Sequence, residues 1–354
     1  MLAGVGGIGT GMFFALEGDE TLGRNESRPG RLLDVRDYCK LHIIAHYVSV
    51  LLGAEASGSP FRVLPIGKVG NDETGRRLAK EMADAGMDTN FIEAVRDRPT
   101  LLSVCFQYPD GSGGNITTSD GASSALSGAD IDRAKSVFEA NAGHWMALAV
   151  PEVPLEARRR LLEVATEYGA FRAAAFTSAE ISAAREMGMF AMTDLVSLNE
   201  DEGQALTGRE FDPAAPEAFL GECQAALARE NGGMRIVLSA GRHGAYGFEG
   251  GRWEWTPAAQ LEVKSTAGAG DALLGGVLAG LAAGWPLVST GEPRKAITDR
   301  ALSSALDYAV LLAAFKCTSP HTINFAADVD HLMTFAARLR VRIAPQFARA
   351  WQAS

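Results

Sequence analysis

The sequence is poor in cysteine, and the four it has, Cys39, Cys105, Cys223 and Cys317, are widely scattered along 354 residues. No Cys-x-x-Cys pair occurs, which argues against a disulfide framework or a cysteine-held metal cluster and suits a reducing, cytoplasmic setting. Basic stripes are also missing, and the net charge is −10. Nucleic acid is therefore not expected as a partner, whereas a nucleotide needs only one local patch of N–H groups and a cation. Long hydrophobic runs are absent apart from residues 272–291, which carry no charge and contain Gly276-x-x-x-Gly280. A membrane span needs ~20 predominantly apolar residues. This run is rich in Gly and Ala and is broken by Pro286, so a buried core helix and no membrane partner are expected. No basic segment followed by an apolar one opens the chain, so no signal peptide is expected. There is no GxxxxGK[ST] phosphate loop, no G-x-S-x-G elbow and no internal repeat.

What is present is alternation. Apolar runs bounded by turn residues predict strands at 61–70, 100–108, 115–119, 145–150, 173–176, 194–198 and 235–238, with a hairpin over 245–255. A turn is expected at 109–114. Helical spacing predicts helices at 38–52, 71–86, 126–140, 154–168, 178–187, 216–229, 297–316 and 329–337. The alternation implies an α/β fold with a largely parallel sheet covered by helices on both faces. Residues 2–11, LAGVGGIGTG, satisfy G-x-G-x-x-G at Gly4, Gly6 and Gly9. A dinucleotide site needs a full strand before that motif and a helix after it. Neither is evident, so a glycine-rich first central strand is expected. Residues 17–37 are polar and turn-rich, with Arg24, Arg28, Arg31 and Arg36, and read as a lid or a solvated excursion. His42 and His46 share one helix face. No acid or third ligand stands near them in sequence, which favours packing over metal binding.

The stretch that carries chemistry is 261–284, LEVKSTAGAGDALLGGVLAGLAAG. Leu261 and Val263 alternate as in a strand, Gly268 and Gly270 permit a tight turn, and a helix of small residues follows. A helix start on a glycine turn presents unpaired N–H groups and partial positive charge, which suits a phosphate. Asp271 there reads either as a helix cap or as a base aimed at a hydroxyl that attacks the phosphate. Two more pieces fall at the carboxyl ends of predicted strands, where ligands sit in parallel sheets. Asn199 with Glu202 offers oxygen ligands for Mg²⁺, directly or through water. Ser239 with Gly241 and Gly244 offers a hydroxyl and amides to a phosphate tail. Together they form an inventory for phosphoryl transfer, which is mostly positioning and charge neutralisation.

These pieces resemble the PfkB (ribokinase-like) carbohydrate kinases. Thr266, Gly268, Ala269, Gly270 and Asp271 match that family's Asp/Asn-Thr-x-Gly-Ala-Gly-Asp signature. Asn199 and Glu202 match its Asn-x-x-Glu, and Ser239, Gly241 and Gly244 its Ser/Thr-x-Gly-x-x-Gly. Residues 66–75, IGKVGNDETG, are similar to its Gly-x-x-Gly-x-Asp-x-x-Gly segment. The resemblance implies one ribokinase-like domain over 1–354, with a small β lid from about 12–37 and 99–120. It implies an ATP-dependent kinase that phosphorylates a hydroxyl of a sugar-like molecule. Asp271 would be the base, Mg²⁺ would be held near Asn199 and Glu202, and a monovalent cation and a homodimer joined through the lid are further options. A nucleoside or vitamin-precursor kinase, or a regulatory nucleotide-binding protein, is the alternative. Two departures stand out. Ser265 replaces the signature's first Asp/Asn. On the acceptor side Gly11 stands where the family has a sugar-gripping Asp, and Cys39, Lys40 and Ile44 replace its Gly-Gly…Asn element. Arg24, Arg28, Arg31, His42 and His46 are then the candidates to shape a different pocket, for an acidic or phosphorylated acceptor.

Overall fold

The structure, a computed structural model, describes residues 1–109, 113–289 and 294–345. Among the described residues thirteen strands are formed: β1 (Leu2–Val5), β2 (Gly9–Leu16), β3 (Gly30–Tyr38), β4 (Val63–Gly70), β5 (Ile92–Val95), β6 (Leu101–Gln107), β7 (Gly113–Thr117), β8 (Met146–Ala149), β9 (Phe171–Ala175), β10 (Leu195–Leu198), β11 (Arg235–Ser239), β12 (Ala245–Glu249) and β13 (Arg252–Thr256). Nine of them make one sheet in the order β13-β12-β11-β10-β9-β8-β1-β4-β5. All its pairings are parallel except those of the β11-β12-β13 meander at one end. The remaining four form a second sheet, β3-β2-β6-β7.

The central strands are short and apolar on both faces, as a doubly covered parallel sheet requires. Their period of two sends Leu2 and Leu148 to one side and Ala3 and Ala147 to the other, into separate cores. The first core is closed by the helices Lys40–Leu51, Ala269–Ala282 and Ala305–Cys317, and the second chiefly by Leu155–Glu167. The glycines of Ala269–Ala282 set how closely these helices approach. A Cβ on Gly276 would lie 2.7 Å from the Ala309 Cα, and one on Gly275 would lie 3.0 Å from the Tyr47 Cβ. The uncharged run is thus a core helix. Among the described residues no helix is long and apolar enough to cross a membrane.

Several boundaries differ from the sequence expectation. No strand precedes the glycine turn. Residues 261–264 are irregular, Val263 is 52% exposed, and the Lys264 amide bonds the Cys317 carbonyl instead of a neighbouring strand. The helix expected from 297 begins only at Ala305, capped by the Ser304 hydroxyl. Ile297 and Leu302 are buried without being helical. Strands β3 and β5 were not expected. The sequence GRLLDVRDY of β3 carries charges throughout and forms an edge strand. Positions 110–112 of the expected turn and Gly291 at the end of the uncharged run lie outside the described residues, as does the side chain of Arg36.

Candidate active site

Four segments converge beyond the carboxyl ends of β1 and β8. The chain leaves β1 through Gly6 and Gly7, enters the second sheet along β2, and returns along β3 into the helix Lys40–Leu51. Strand β8 runs out through Pro151 to Glu152, which adopts φ 75°, a left-handed conformation uncommon outside glycine. The Gly7 amide donates to the Pro151 carbonyl at 3.0 Å. A Cβ on Gly7 would stand 2.5 Å from Glu152 Cβ and Oε2, so only glycine admits that side chain. The Glu152 Oε2 in turn accepts from the Lys40 amide at 3.1 Å, at the start of the helix.

The Lys40 side chain reaches Asp271, with Nζ–Oδ1 at 3.3 Å. Asp271 holds the Lys40 ammonium well above the usual lysine range, against the opposing effect of burial. Burial pushes the Glu152 carboxyl up to about 7 although Lys40 pulls the other way. A cavity of about 190 Å³ opens here, lined by Thr10, Asp37, Lys40, Glu152, Gly268 and Asp271 among others.

The glycine turn is fixed by a close approach. Gly268 has φ 79°, and a Cβ on it would meet the Thr322 carbonyl oxygen at 2.4 Å. Lys316 Nζ donates to the Ser265 carbonyl at 2.9 Å and steadies the entry to the turn. Of the first-turn amides, Ala269 donates to Thr266 O and Ala272 to Gly268 O. The Gly270 and Asp271 amides have no such partner among the described residues, as expected of a helix start. Thr266 and Gly270 are exposed and Ala269 is half-buried, so the turn is open to a ligand.

Asn199 and Glu202 follow β10 and form a reciprocal capping box. The Glu202 amide donates to Asn199 Oδ1 at 2.8 Å, and the Asn199 amide donates to Glu202 Oε2 at 2.9 Å. Both side chains therefore already have a structural task. Burial raises the Glu202 carboxyl to about 7, Lys40 opposes the rise and Asp271 adds to it, which ties Glu202 electrostatically to the same centre. Among the described residues no group of three or more His, Cys, Asp or Glu side chains is arranged to hold a metal. A divalent ion here would rely on the remaining Glu202 oxygen, water and substrate phosphates, a donor set that suits Mg²⁺.

The β10–β11 register pairs Leu198 with Leu238, which sets Asn199 beside Ser239. Beyond Ser239, Gly241–His243 makes one short turn, and Gly244 at φ 96° passes so close to β13 that a Cβ would meet Thr256 O at 2.1 Å. Gly241 itself is exposed. These two loops and the glycine turn share the strand-end edge of the sheet, with His243 and Arg242 acting on the Glu200 carboxyl across the gap.

The residues expected on the acceptor side are distributed differently. Gly11 is buried in β2, facing Asp37. Arg24 and Arg31 are exposed, and Arg28 pairs with Glu26. His42 and His46 are buried against Tyr38, Tyr47 and Phe325, with no hydrogen-bond partner for either ring among the described residues. Burial drops His42 to about 3 and His46 to about 4, so both are neutral packing residues. None of these five side chains lines the cavity. Of the four charged groups that do, Asp271 was expected from the sequence, whereas Asp37, Lys40 and Glu152 are absent from the sequence-derived site. The signals for Lys40 were its position at the start of a predicted helix and its place among the residues that replace the family's Gly-Gly…Asn element.

Residues 45–328 match the pfkB family carbohydrate kinase domain, and the chain belongs to that family. It is 25% identical over 307 residues to a 2-dehydro-3-deoxygluconokinase of Thermoproteus tenax, covering 82% of this chain and 86% of that one. It is 25% identical over 240 residues to Fructokinase-1 of Zea mays, covering 65% and 70%. Among solved structures, a ribokinase of Cryptococcus neoformans var. grubii serotype A in complex with ADP superimposes with a TM-score of 0.69 at 20% identity, covering 94% of this chain and 98% of that one. The fold is therefore ribokinase-like, an expectation of the sequence that holds.

Proposed function

We propose that this protein is an ATP-dependent kinase that transfers the γ-phosphoryl group to a hydroxyl of a sugar or sugar-like molecule, with Asp271 as general base. The observation that carries this reading is the Lys40–Asp271 pair lining the cavity, beside the free amides of Gly270 and Asp271. An acceptor hydroxyl seated in the cavity gives its proton to the Asp271 carboxylate as its oxygen attacks the γ-phosphorus, and the bond from that phosphorus to the β,γ-bridging oxygen breaks to release ADP. The open amides and the helix start take the charge on the phosphoryl oxygens. Lys40 keeps a permanent cation beside the reacting groups. The loops at Ser239–Gly244 and the turn from Thr266 hold the rest of the nucleotide. Asn199 and Glu202 would hold Mg²⁺, which would supply neutralisation of phosphate charge.

The second sheet serves as the lid over the acceptor, and it suggests an assembly. Met12, Val104 and Ile116 are direct cross-strand neighbours on one of its faces. Met12 is 41% exposed and Ile116 70%, and Leu102, two residues before Val104 on that face, is 38% exposed. Contiguous exposed apolar residues favour a partner surface, and a second copy of the chain is the proposed occupant. A cytoplasmic location is part of the proposal, supported by four free cysteines. Acceptor-dependent ADP release, screened over sugars, sugar acids and nucleosides with Mg²⁺·ATP, tests the activity. A panel with no acceptor-dependent release would return the chain to the regulatory, non-catalytic alternative.

A further inference from the structure

The kinase reading leaves Asp37 unused, yet this carboxylate enters the cavity more deeply buried than any other charged side chain that lines it. Asp37, the next-to-last residue of β3, is in register with Gly11 of β2. It is 8% exposed. A Cβ built on Gly11 would lie 2.8 Å from Asp37 Oδ2 and 3.0 Å from Asp37 Cβ. The Asp37 side chain therefore fills the volume that a side chain at position 11 would need, and glycine there is what admits it.

The carboxylate is held in place. Cys105 Sγ donates to Oδ2 at 2.9 Å, and Thr322 also bonds the carboxylate. The Thr322 hydroxyl oxygen accepts from the Tyr38 amide at 3.1 Å, and its carbonyl is the atom packed against Gly268. Asp37 is thus coupled through one residue to the turn that carries Asp271. Burial raises its carboxyl above the ordinary range, with Asp271 adding to the rise.

The charge around the cavity is one-sided. Asp37, Glu152 and Asp271 contribute carboxyls, and Lys40 is the one cationic side chain among the described lining residues. Lys40 is already engaged with Asp271. Arg77 touches the rim through Thr10 Oγ1 at 3.2 Å but is paired with Glu81 at 3.0 Å. An anionic group placed inside would be desolvated beside like charge, which is strongly unfavourable. Hydroxyl and ammonium groups would find fixed acceptors.

We propose that Asp37 is the acceptor-selecting residue of this site, binding hydroxyl or ammonium groups of an uncharged or amine-bearing polyol and turning away sugar acids and sugar phosphates. This rests on the kinase reading for the identity of the site.

The test is calorimetric binding, which needs no turnover. Wild type and Asp37→Asn are titrated in the presence of Mg²⁺ and a non-hydrolysable ATP analogue with ribose, fructose, glucosamine, gluconate and fructose 6-phosphate. The expected result is that wild type binds at least one of the first three tenfold or more tighter than either anion. In Asp37→Asn the preferred ligand should weaken at least tenfold while the anions gain or hold, at unchanged nucleotide affinity. Preference for an anion, binding of no member of the panel, or equal selectivity in the two proteins would overturn the proposal. Wild-type selectivity stands as evidence even where the variant folds poorly. Failure of the kinase reading would show separately, as selective binding without ADP release.

Discussion

Lys40 Nζ lies 3.3 Å from Asp271 Oδ1, across 231 residues of sequence. The contact joins the start of the helix that follows the second sheet to the start of the helix that follows the glycine turn. It places a cation between three carboxyls, since Lys40 also acts on Glu152 and Glu202. Lys40→Gln should lower kcat/KM for the acceptor by roughly ten-fold or more, the scale of one lost charge-assisted contact. Both glutamates sit near 7 with Lys40 holding them down. Without that charge they stay protonated to higher pH, so the acid limb of the rate profile should move upward. A pH–rate profile of the variant that superimposes on wild type after scaling would remove Lys40 from the centre.

Glu202 gives a metal prediction with a definite sign. Its carboxyl is raised to about 7, and a carboxyl can hold a metal ion only when ionised. The Mg²⁺ concentration for half-maximal rate should therefore fall as pH rises through 7. Glu202→Gln should raise that concentration and flatten its pH dependence. Glutamine retains the capping box, so the melting temperature should hold. An unchanged Mg²⁺ requirement would leave Glu202 as a capping residue alone.

His42 and His46 predict a stability effect. Both have folded values well below 6.5, about 3 and about 4. Above pH 6.5 they are neutral folded and unfolded. As pH falls below 6.5 the unfolded chain takes up protons that the folded chain refuses, and stability is lost at roughly 1.4 kcal/mol per pH unit for each histidine. Glu152 and Glu202 work in the opposite direction, because their raised values favour the folded state as pH falls through 7. The comparison that isolates the histidines is wild type against His42→Leu/His46→Leu. The double variant should gain relative to wild type between pH 6.5 and 4, by thermal melts; a constant difference across that range would contradict the buried, neutral assignment.

The face of the second sheet gives an assembly prediction. If two copies meet there, Ile116→Lys should convert a dimer to a monomer in light scattering with little change in melting temperature, because Ile116 is 70% exposed in the single chain. A monomeric wild type, or a variant that stays dimeric, would rule out this face.

The parts of the site that sequence reveals are those encoded locally. Gly268 must be glycine because its φ and the Thr322 carbonyl demand it, and Asp271 follows at a fixed offset on the helix it opens. The central strands are legible for the same reason, since period and turn residues are properties of a short window. Strand-like alternation at Leu261 and Val263 misleads because a strand also needs a partner edge, and none is offered there. The acceptor side depends on pairings that no window contains. Lys40 meets Glu152 across 112 residues, and Glu152 gets there through a left-handed backbone. Asp37 reaches the cavity because β3 pairs with β2 at Gly11. The arginines and histidines nearby in sequence are the visible polar groups, but folding leaves Arg24 and Arg31 exposed, ties Arg28 to Glu26 and packs the histidines into the core.

The most direct measurement is acceptor phosphorylation by Asp271→Asn. Gly268 is the N-cap of this helix and Asp271 lies in its first turn without capping it, so Asp271→Asn removes no cap and the fold and nucleotide binding should survive. As the general base, Asp271 should be worth ~10²–10⁴ in rate, so the account predicts a fall in kcat of that size with KM for ATP little changed. Near-normal turnover in this variant would show that Asp271 only begins the helix, and would contradict the proposed mechanism.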